Sequence, residues 1–92
     1  MRVIVCTGSE GCAVVIGECD EMPRVGEPCE LRDARMLLYW PVECAGLFGF
    51  AARGPQKGTR ITAPVQVVRC TAREVLTLSS EATKAIDRWP SL

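Results

Sequence analysis

The segment Asp33–Trp40 holds the side chains of this sequence that are best suited to bind a ligand. It contains the single tyrosine, one of the two tryptophans and an arginine within eight residues. On an extended strand, Arg35, Leu37 and Tyr39 share one face. A guanidinium pairs with phosphate and an aromatic ring stacks on a nucleobase, so Arg35 and Tyr39 together predict a site for an anionic aromatic ligand.

The same segment also fits a structural role. Its opposite strand face carries Met36, Leu38 and Trp40. Trp40 is favoured as a core anchor, although it stays among the candidate ligand contacts. In a structural role Arg35 pairs with Asp33 or Glu30. Both interpretations of Arg35 and Tyr39 are open from the sequence.

A second group of cations lies around a loop that contains proline and glycine. No acidic residue stands next to these cations, which makes an anion site possible, with a solvated loop as the alternative. The full set of candidate ligand-binding residues is Arg35, Tyr39, Trp40, Arg53, Lys57 and Arg60.

Catalysis is disfavoured by composition. The sequence has no histidine, the commonest general base and a frequent metal ligand. The aspartates and glutamates are scattered, and neither a GxGxxG nor a Walker loop is present. We therefore predict a non-enzymatic protein with no catalytic residues, no metal site and no cofactor.

The six cysteines raise the question of disulfides. No signal peptide is recognisable before them, and no pair has CxxC spacing. Several lie in apolar runs, where cysteine behaves as a small hydrophobe. We expect reduced thiols in a cytoplasmic protein, with disulfides as the minor alternative. No apolar run approaches the roughly 20 residues of a membrane span, so no membrane partner is expected.

Length and charge limit the partners further. The 92 residues predict one domain, 1–92, and so small a chain often gains stability from subunit contacts, so we expect a homo-oligomer. The formal net charge is zero at pH 7. Nucleic-acid binding is therefore disfavoured.

Residue patterns predict an antiparallel sheet in the first half of the chain. Arg2–Cys6 and Cys12–Cys19 indicate a hairpin around the glycine-bearing turn Thr7–Gly11. A loop follows over Asp20–Pro28. Residues 29–40 then predict either another strand pair or one long bent strand, which Pro41 ends.

The second half predicts a short helix, a long strand and a final helix. Cys44–Arg53 fits a helix capped by Gly54, with one face formed by Leu47, Phe48, Phe50 and Ala51. A polar loop spans residues 55–62, and residues 65–78 carry the longest β pattern, broken near Thr71-Ala72. Ser79 or Ser80 begins a helix that runs to about Arg88. Its apolar stripe consists of Ala82, Ala85, Ile86 and Trp89. The expected class is α+β: a small, mostly antiparallel sheet of about five strands, with a short central helix and a C-terminal helix packed on it.

At these residues the chain resembles a family of small, uncharacterised proteins encoded by bacteriophages and prophages. The resemblance rests on the Val3–Val5 strand, the "DAR…YW" core formed by Asp33–Arg35 and Tyr39-Trp40, and the closing Ser80–Ala82 helix. The chain departs from the pattern in the loop at residues 20–28 and at Pro41. The resemblance implies a phage context, in which compact oligomeric proteins without enzymatic activity counter host defence.

Two functions follow as hypotheses. The first is a homo-oligomeric phage protein that sequesters a nucleotide immune signal, such as a cyclic nucleotide or an ADP-ribose derivative, in the host cytoplasm. The second is a protein–protein interaction module, either an inhibitor of a host protein or a virion or accessory component. It would use the same aromatic segment as its hot spot.

Overall fold

The computed structural model describes residues 1–8 and 13–92. In chain order the strands are β1 (Arg2–Thr7), β2 (Ala13–Glu18), β3 (Pro28–Tyr39), β4 (Arg60–Ile61) and β5 (Val65–Thr77), and the helices are α1 (Gly46–Arg53) and α2 (Ser80–Asp87). A 3-10 turn, Val42–Cys44, precedes α1. The antiparallel sheet and the two helices within the described residues confirm the predicted α+β class.

The sheet closes on itself. β1 lies between β2 and β5, and β3 pairs with β5 on one side and with β2 on the other. These strands form a small antiparallel barrel, and β4 is added to β3 outside the ring. Closure leaves few free strand edges, so the strand surfaces are held rigidly.

Two apolar clusters stabilise the fold, and β1 contributes to both. Val3 and Val5 pack with Leu31 and Ala72 in a cluster built from barrel strands. Ile4 packs on the other face of β1, against the helices, in a second cluster. This second cluster also contains Ile16, Leu37, Phe50, Ile61, Ala82 and Ile86. Burial on both faces explains why β1 reads as a continuous apolar run.

A bulge in β3 changes which residues face the helices. Asp33 has a φ of 49°, and the β2–β3 register shifts so that Ile16 pairs with Arg35 while Glu18 pairs with Arg32. Gly17 therefore lies opposite two residues, as in a β-bulge. A Cβ at Gly17 would lie 2.7 Å from the Cβ of Leu31, so the close approach of β2 to β3 requires glycine.

Most predicted elements are confirmed. The N-terminal hairpin, the helix ended by Gly54 and the final helix capped by Ser79 are all present. Of the two predictions for residues 29–40, one long strand with a bulge is observed. The predicted turn Thr7–Gly11 falls in part outside the described residues.

Two predictions were wrong. β5 continues through Thr71-Ala72, because β1 and β3 both pair with it there. The predicted loop at residues 55–62 contains β4, a two-residue strand too short to recognise from alternation.

Candidate binding surface

Arg35 is directed into the molecule. Its side chain is 8% exposed. Nε donates to the carbonyl oxygen of Thr62 over 2.8 Å, and one terminal nitrogen donates to that of Ile86 over 2.7 Å. The other terminal nitrogen donates to the Trp89 carbonyl and the Ser91 hydroxyl, both over 3.1 Å. Four of the five N–H donors of a guanidinium are thereby used by the fold itself.

The electrostatics of Arg35 agree with a structural position. Burial lowers the pKa of its guanidinium, and the Asp87 carboxylate acts in the opposite direction. The side chain stays charged, since an arginine starts from a very high pKa. Carbonyl oxygens at and just beyond the end of α2 accept hydrogen bonds from it, where a cation is favoured by the helix dipole.

Tyr39 lies elsewhere, on the surface, with 52% of its area exposed. The β3–β4 register shifts by one residue between Leu37 and Tyr39, so that Leu37 pairs with Ile61 and Tyr39 pairs with Arg60. The expectation that Arg35 and Tyr39 project together is not met. The register shift between Leu37 and Tyr39 breaks the simple alternation on which it rested.

The exposed end of β3 carries large apolar side chains beside Tyr39. Met36 is 41% exposed and Leu38 is 49% exposed. Arg60, directly opposite Tyr39, is also exposed. We call Met36, Leu38, Tyr39, Arg60 and the nearby Lys57 the β3–β4 surface.

Lys57 is presented by a tight turn just before β4. The Thr59 hydroxyl donates to the Gln56 carbonyl over 2.6 Å and accepts from the Gln56 amide over 3.1 Å. The indole nitrogen of Trp89 donates to the Thr59 carbonyl over 3.0 Å. Hydrogen bonds therefore hold this turn in place, and the exposed Lys57 belongs to it.

The two remaining candidates are attached to other parts of the fold. Trp40 is partly buried and packs on the cluster beneath the helices, which agrees with its interpretation as an anchor. Arg53 is exposed at the last turn of α1 and donates to the Cys44 carbonyl over 3.4 Å. Of the predicted set, Tyr39 and Arg60 pair across β3 and β4, and Lys57 lies three residues before β4 in the chain.

The exposure of two groups of apolar side chains was missed from sequence, one on the β3–β4 surface and one on α1. Met36 and Leu38 were predicted on the opposite strand face, without a binding role. Phe48 was predicted to share the apolar face of α1, yet it is 74% exposed while Phe50 is fully buried. A signal for the first was available, because Met36 and Leu38 alternate with residues that pack inward.

Arg35 also lines a small polar cleft of about 350 Å³, together with Arg2, Asp33, Pro64, Asp87, Trp89 and Ser91. Arg2 is held there by ion pairs to Asp87 at 2.9 Å and to Glu18 at 3.2 Å. Both arginines of this cleft are therefore engaged by the protein. Two wider clefts occur near the other end of the barrel, beside Cys70 and beside Arg32.

Residues 1–86 match the family described as Domain of unknown function (DUF6948). The chain belongs to this family. No curated protein and no solved structure matches it. DUF6948 membership agrees with the expected resemblance to an uncharacterised family. In the described part of this DUF6948 chain, no helix is long and apolar enough to cross a membrane.

Proposed function

We propose that this DUF6948 protein is a non-enzymatic binding module that recognises another protein through the β3–β4 surface. The observation that carries the proposal is the run of exposed apolar side chains on β3 beside the Tyr39–Arg60 pair. Met36, Leu38 and Tyr39 are each 41–52% exposed. Such side chains gain free energy when a partner covers them.

The residue types suit a protein interface. Tyrosine, arginine and methionine are enriched in interfaces, and tyrosine and arginine dominate their hot spots. The barrel holds β3 rigidly, so little conformational entropy is lost on binding. Arg60 and Lys57 favour an acidic partner surface, which they would attract before contact.

The proposed setting is phage infection. The "DAR…YW" resemblance suggests a phage or prophage origin, and the partner is then a host protein in the host cytoplasm. Assembly into a homo-oligomer is compatible with this role. Light scattering on the purified protein would give its subunit number.

An affinity experiment with matched variants tests the proposal. The immobilised wild-type chain and its variants are exposed to host-cell lysate, and retained proteins are quantified by mass spectrometry. Tyr39→Ser and Arg60→Glu should lose a partner that the wild type retains. Phe48→Ser is the matched aromatic control, and Arg24→Glu is the matched charge control on a side chain that is 84% exposed.

The partner is then purified and titrated against the same four variants. Substitution of a hot-spot residue should lower the affinity for the partner by about 30-fold or more, which corresponds to about 2 kcal/mol. Equal affinity for wild type, Tyr39→Ser and Arg60→Glu would exclude this surface as the binding site.

A second candidate function rests on the same pair of residues. Tyr39, with Arg60 opposite it on β4 and Lys57 just before β4, also suits a nucleobase with its phosphates. This supports sequestration of a cyclic nucleotide or an ADP-ribose derivative, without Arg35, whose donors are engaged. Isothermal titration with cyclic dinucleotides and cyclic ADP-ribose isomers tests it. Heat that disappears in Lys57→Ala and Arg60→Ala supports ligand capture, whereas no heat with any of them rejects it.

A further inference from the structure

Two thiols face each other at the end of β3 remote from Tyr39. Cys29 of β3 pairs directly with Cys70 of β5 in the antiparallel ladder. Their Sγ atoms lie 3.7 Å apart, and both side chains are partly buried. Directly opposed residues in antiparallel strands have Cα separations of about 4.5–5.5 Å, which lies inside the range found in disulfides.

Bonds on either side of the two thiols join β3 and the turn before it to β5. The next pair along the ladder, Glu30 and Arg69, forms an ion pair at 3.0 Å. On the other side, the amide of Gly26 donates to the Ala72 carbonyl over 2.7 Å. Bond formation needs the Sγ atoms to close from 3.7 Å to about 2.05 Å, which side-chain rotation and small backbone shifts can supply.

We propose that Cys29 and Cys70 form a reversible cross-strand disulfide when a small-molecule disulfide is present. In the first step a thiolate of the pair attacks the external disulfide and releases one small thiol. The second protein thiol, after losing its proton, attacks the resulting mixed disulfide and releases the second small thiol. The protein dithiol is oxidised by two electrons, and the external disulfide is reduced to two thiols.

The resting state of the pair is a dithiol. Burial, together with the hydrogen bond to Cys29, raises the pKa of the Cys70 thiol to about 11. Cys70 therefore stays protonated near neutral pH. The proximity of the two sulfurs is what favours closure once a mixed disulfide has formed.

This inference is independent of the proposed function. Cys29 and Tyr39 stand ten positions apart, near opposite ends of β3. Oxidation of the pair joins β3 to β5 at the far end of the barrel. Recognition at the β3–β4 surface should be the same in the reduced and oxidised forms.

Peptide mapping of the wild-type protein tests the proposal directly. The folded chain is incubated with oxidised glutathione, remaining thiols are alkylated, and the protein is digested with trypsin without reduction. Cleavage after Arg24, Arg32, Arg69 and Arg73 places Cys29 in peptide Val25–Arg32 and Cys70 in peptide Cys70–Arg73. We expect these two peptides to be joined, the intact protein to lose about 2 Da, and dithiothreitol to reverse both changes.

Stability measurements with matched variants give a second readout. The cross-link should raise the melting temperature of the wild type by the order of 10 °C. Cys29→Ser and Cys70→Ser should show no rise with oxidant, whereas Cys44→Ser, which removes a buried thiol elsewhere, should retain it. The proposal would be overturned if the wild type stayed fully reduced, if it formed only stable glutathione adducts, or if the cross-link joined other cysteines.

Discussion

The guanidinium of Arg35 donates to the carbonyl oxygen of Ile86 over 2.7 Å, and this bond joins the middle of β3 to the last turn of α2. The same side chain bonds the Thr62 and Trp89 carbonyls, so three separate segments meet at one cation. Carbonyls at a helix end lack partners within the helix. Arg35 adds a donor to the Ile86 carbonyl, which also accepts from the Trp89 amide over 3.0 Å. Its role in this fold is to fix the C-terminal helix against the sheet.

Arg35→Leu should lower the free energy of unfolding by about 3 kcal/mol, because it removes the guanidinium donors to three buried or partly buried carbonyl oxygens. Urea denaturation followed by circular dichroism measures the change. Arg35→Lys should lie between Leu and wild type, since lysine keeps the charge but cannot span the same acceptors. Arg53→Leu, on an exposed arginine, should change stability by less than about 0.5 kcal/mol. Equal effects at both arginines would contradict the role given to Arg35.

Two phenylalanines of α1 provide a matched test of packing. Phe50 is fully buried, whereas Phe48 is 74% exposed. Phe50→Ala should therefore cost about 3–5 kcal/mol through lost burial and a cavity, and Phe48→Ala should cost under about 1 kcal/mol. Thermal and urea unfolding of the two variants side by side measure the difference. A larger loss at Phe48 would mean that α1 packs by its other face.

Gly17→Ala should be destabilising by about 1–3 kcal/mol. The added methyl would lie 2.7 Å from the Cβ of Leu31 and 3.4 Å from the Arg32 carbonyl oxygen, and neither atom can rotate away. Ala13→Gly, at the partly buried start of the same strand, is the control and should cost only about 0.5–1 kcal/mol. Wild-type stability in Gly17→Ala would show that β2 and β3 are farther apart than described.

The sequence left open whether Ser79 or Ser80 caps the N-terminus of α2, and the structure assigns the cap to Ser79. The Ser79 hydroxyl accepts from the Ala82 amide over 3.0 Å and donates to the Ala52 carbonyl over 2.6 Å. Ser79→Ala should therefore lower stability by about 1 kcal/mol. Ser80→Ala, at an exposed helical position, should be neutral or slightly stabilising, because alanine favours helix. The reverse order in denaturant midpoints would assign the cap to Ser80.

The N-terminal ammonium and Arg2 hold the pKa of the Glu18 carboxyl below its usual value. In the acidic range the unfolded chain then binds more protons than the native protein, so stability rises with pH. The stabilisation from the Glu18 carboxylate is present above the ordinary pKa of a glutamate and is lost as the pH falls below about 4.3. Glu18→Gln should show a shallower loss of stability between about pH 5 and pH 3 than wild type, measured by melting temperature. Glu21→Gln is the control, and identical pH profiles for wild type and Glu18→Gln would reject the coupling.

Local sequence patterns predicted much of the fold. Alternating β-branched residues around a glycine turn predicted the first hairpin, and a serine before an apolar stripe ending near Trp89 predicted α2. Gly54 after a small apolar segment predicted the end of α1. These signals are local, since the partner of each backbone group is only a few residues away. The two-residue β4 gave no such signal, because it exists only by pairing with β3.

The candidate site depended on which face of β3 each side chain occupies. That face was decided by contacts between residues far apart in the sequence. Alternation placed Arg35 beside Tyr39. In the structure, Arg35 follows the extra residue at Asp33 and points inward, whereas Tyr39 follows a second register shift and is exposed to solvent. A one-residue slip exchanges the two faces of a strand, and the position of a bulge depends on contacts such as Gly17 against Leu31. The sequence alone determined the α+β class, the end of α1 at Gly54 and the absence of histidine chemistry. Only the tertiary structure decided that Tyr39 meets Arg60 and that Cys29 meets Cys70, because those pairs are brought together by strand register across long stretches of chain.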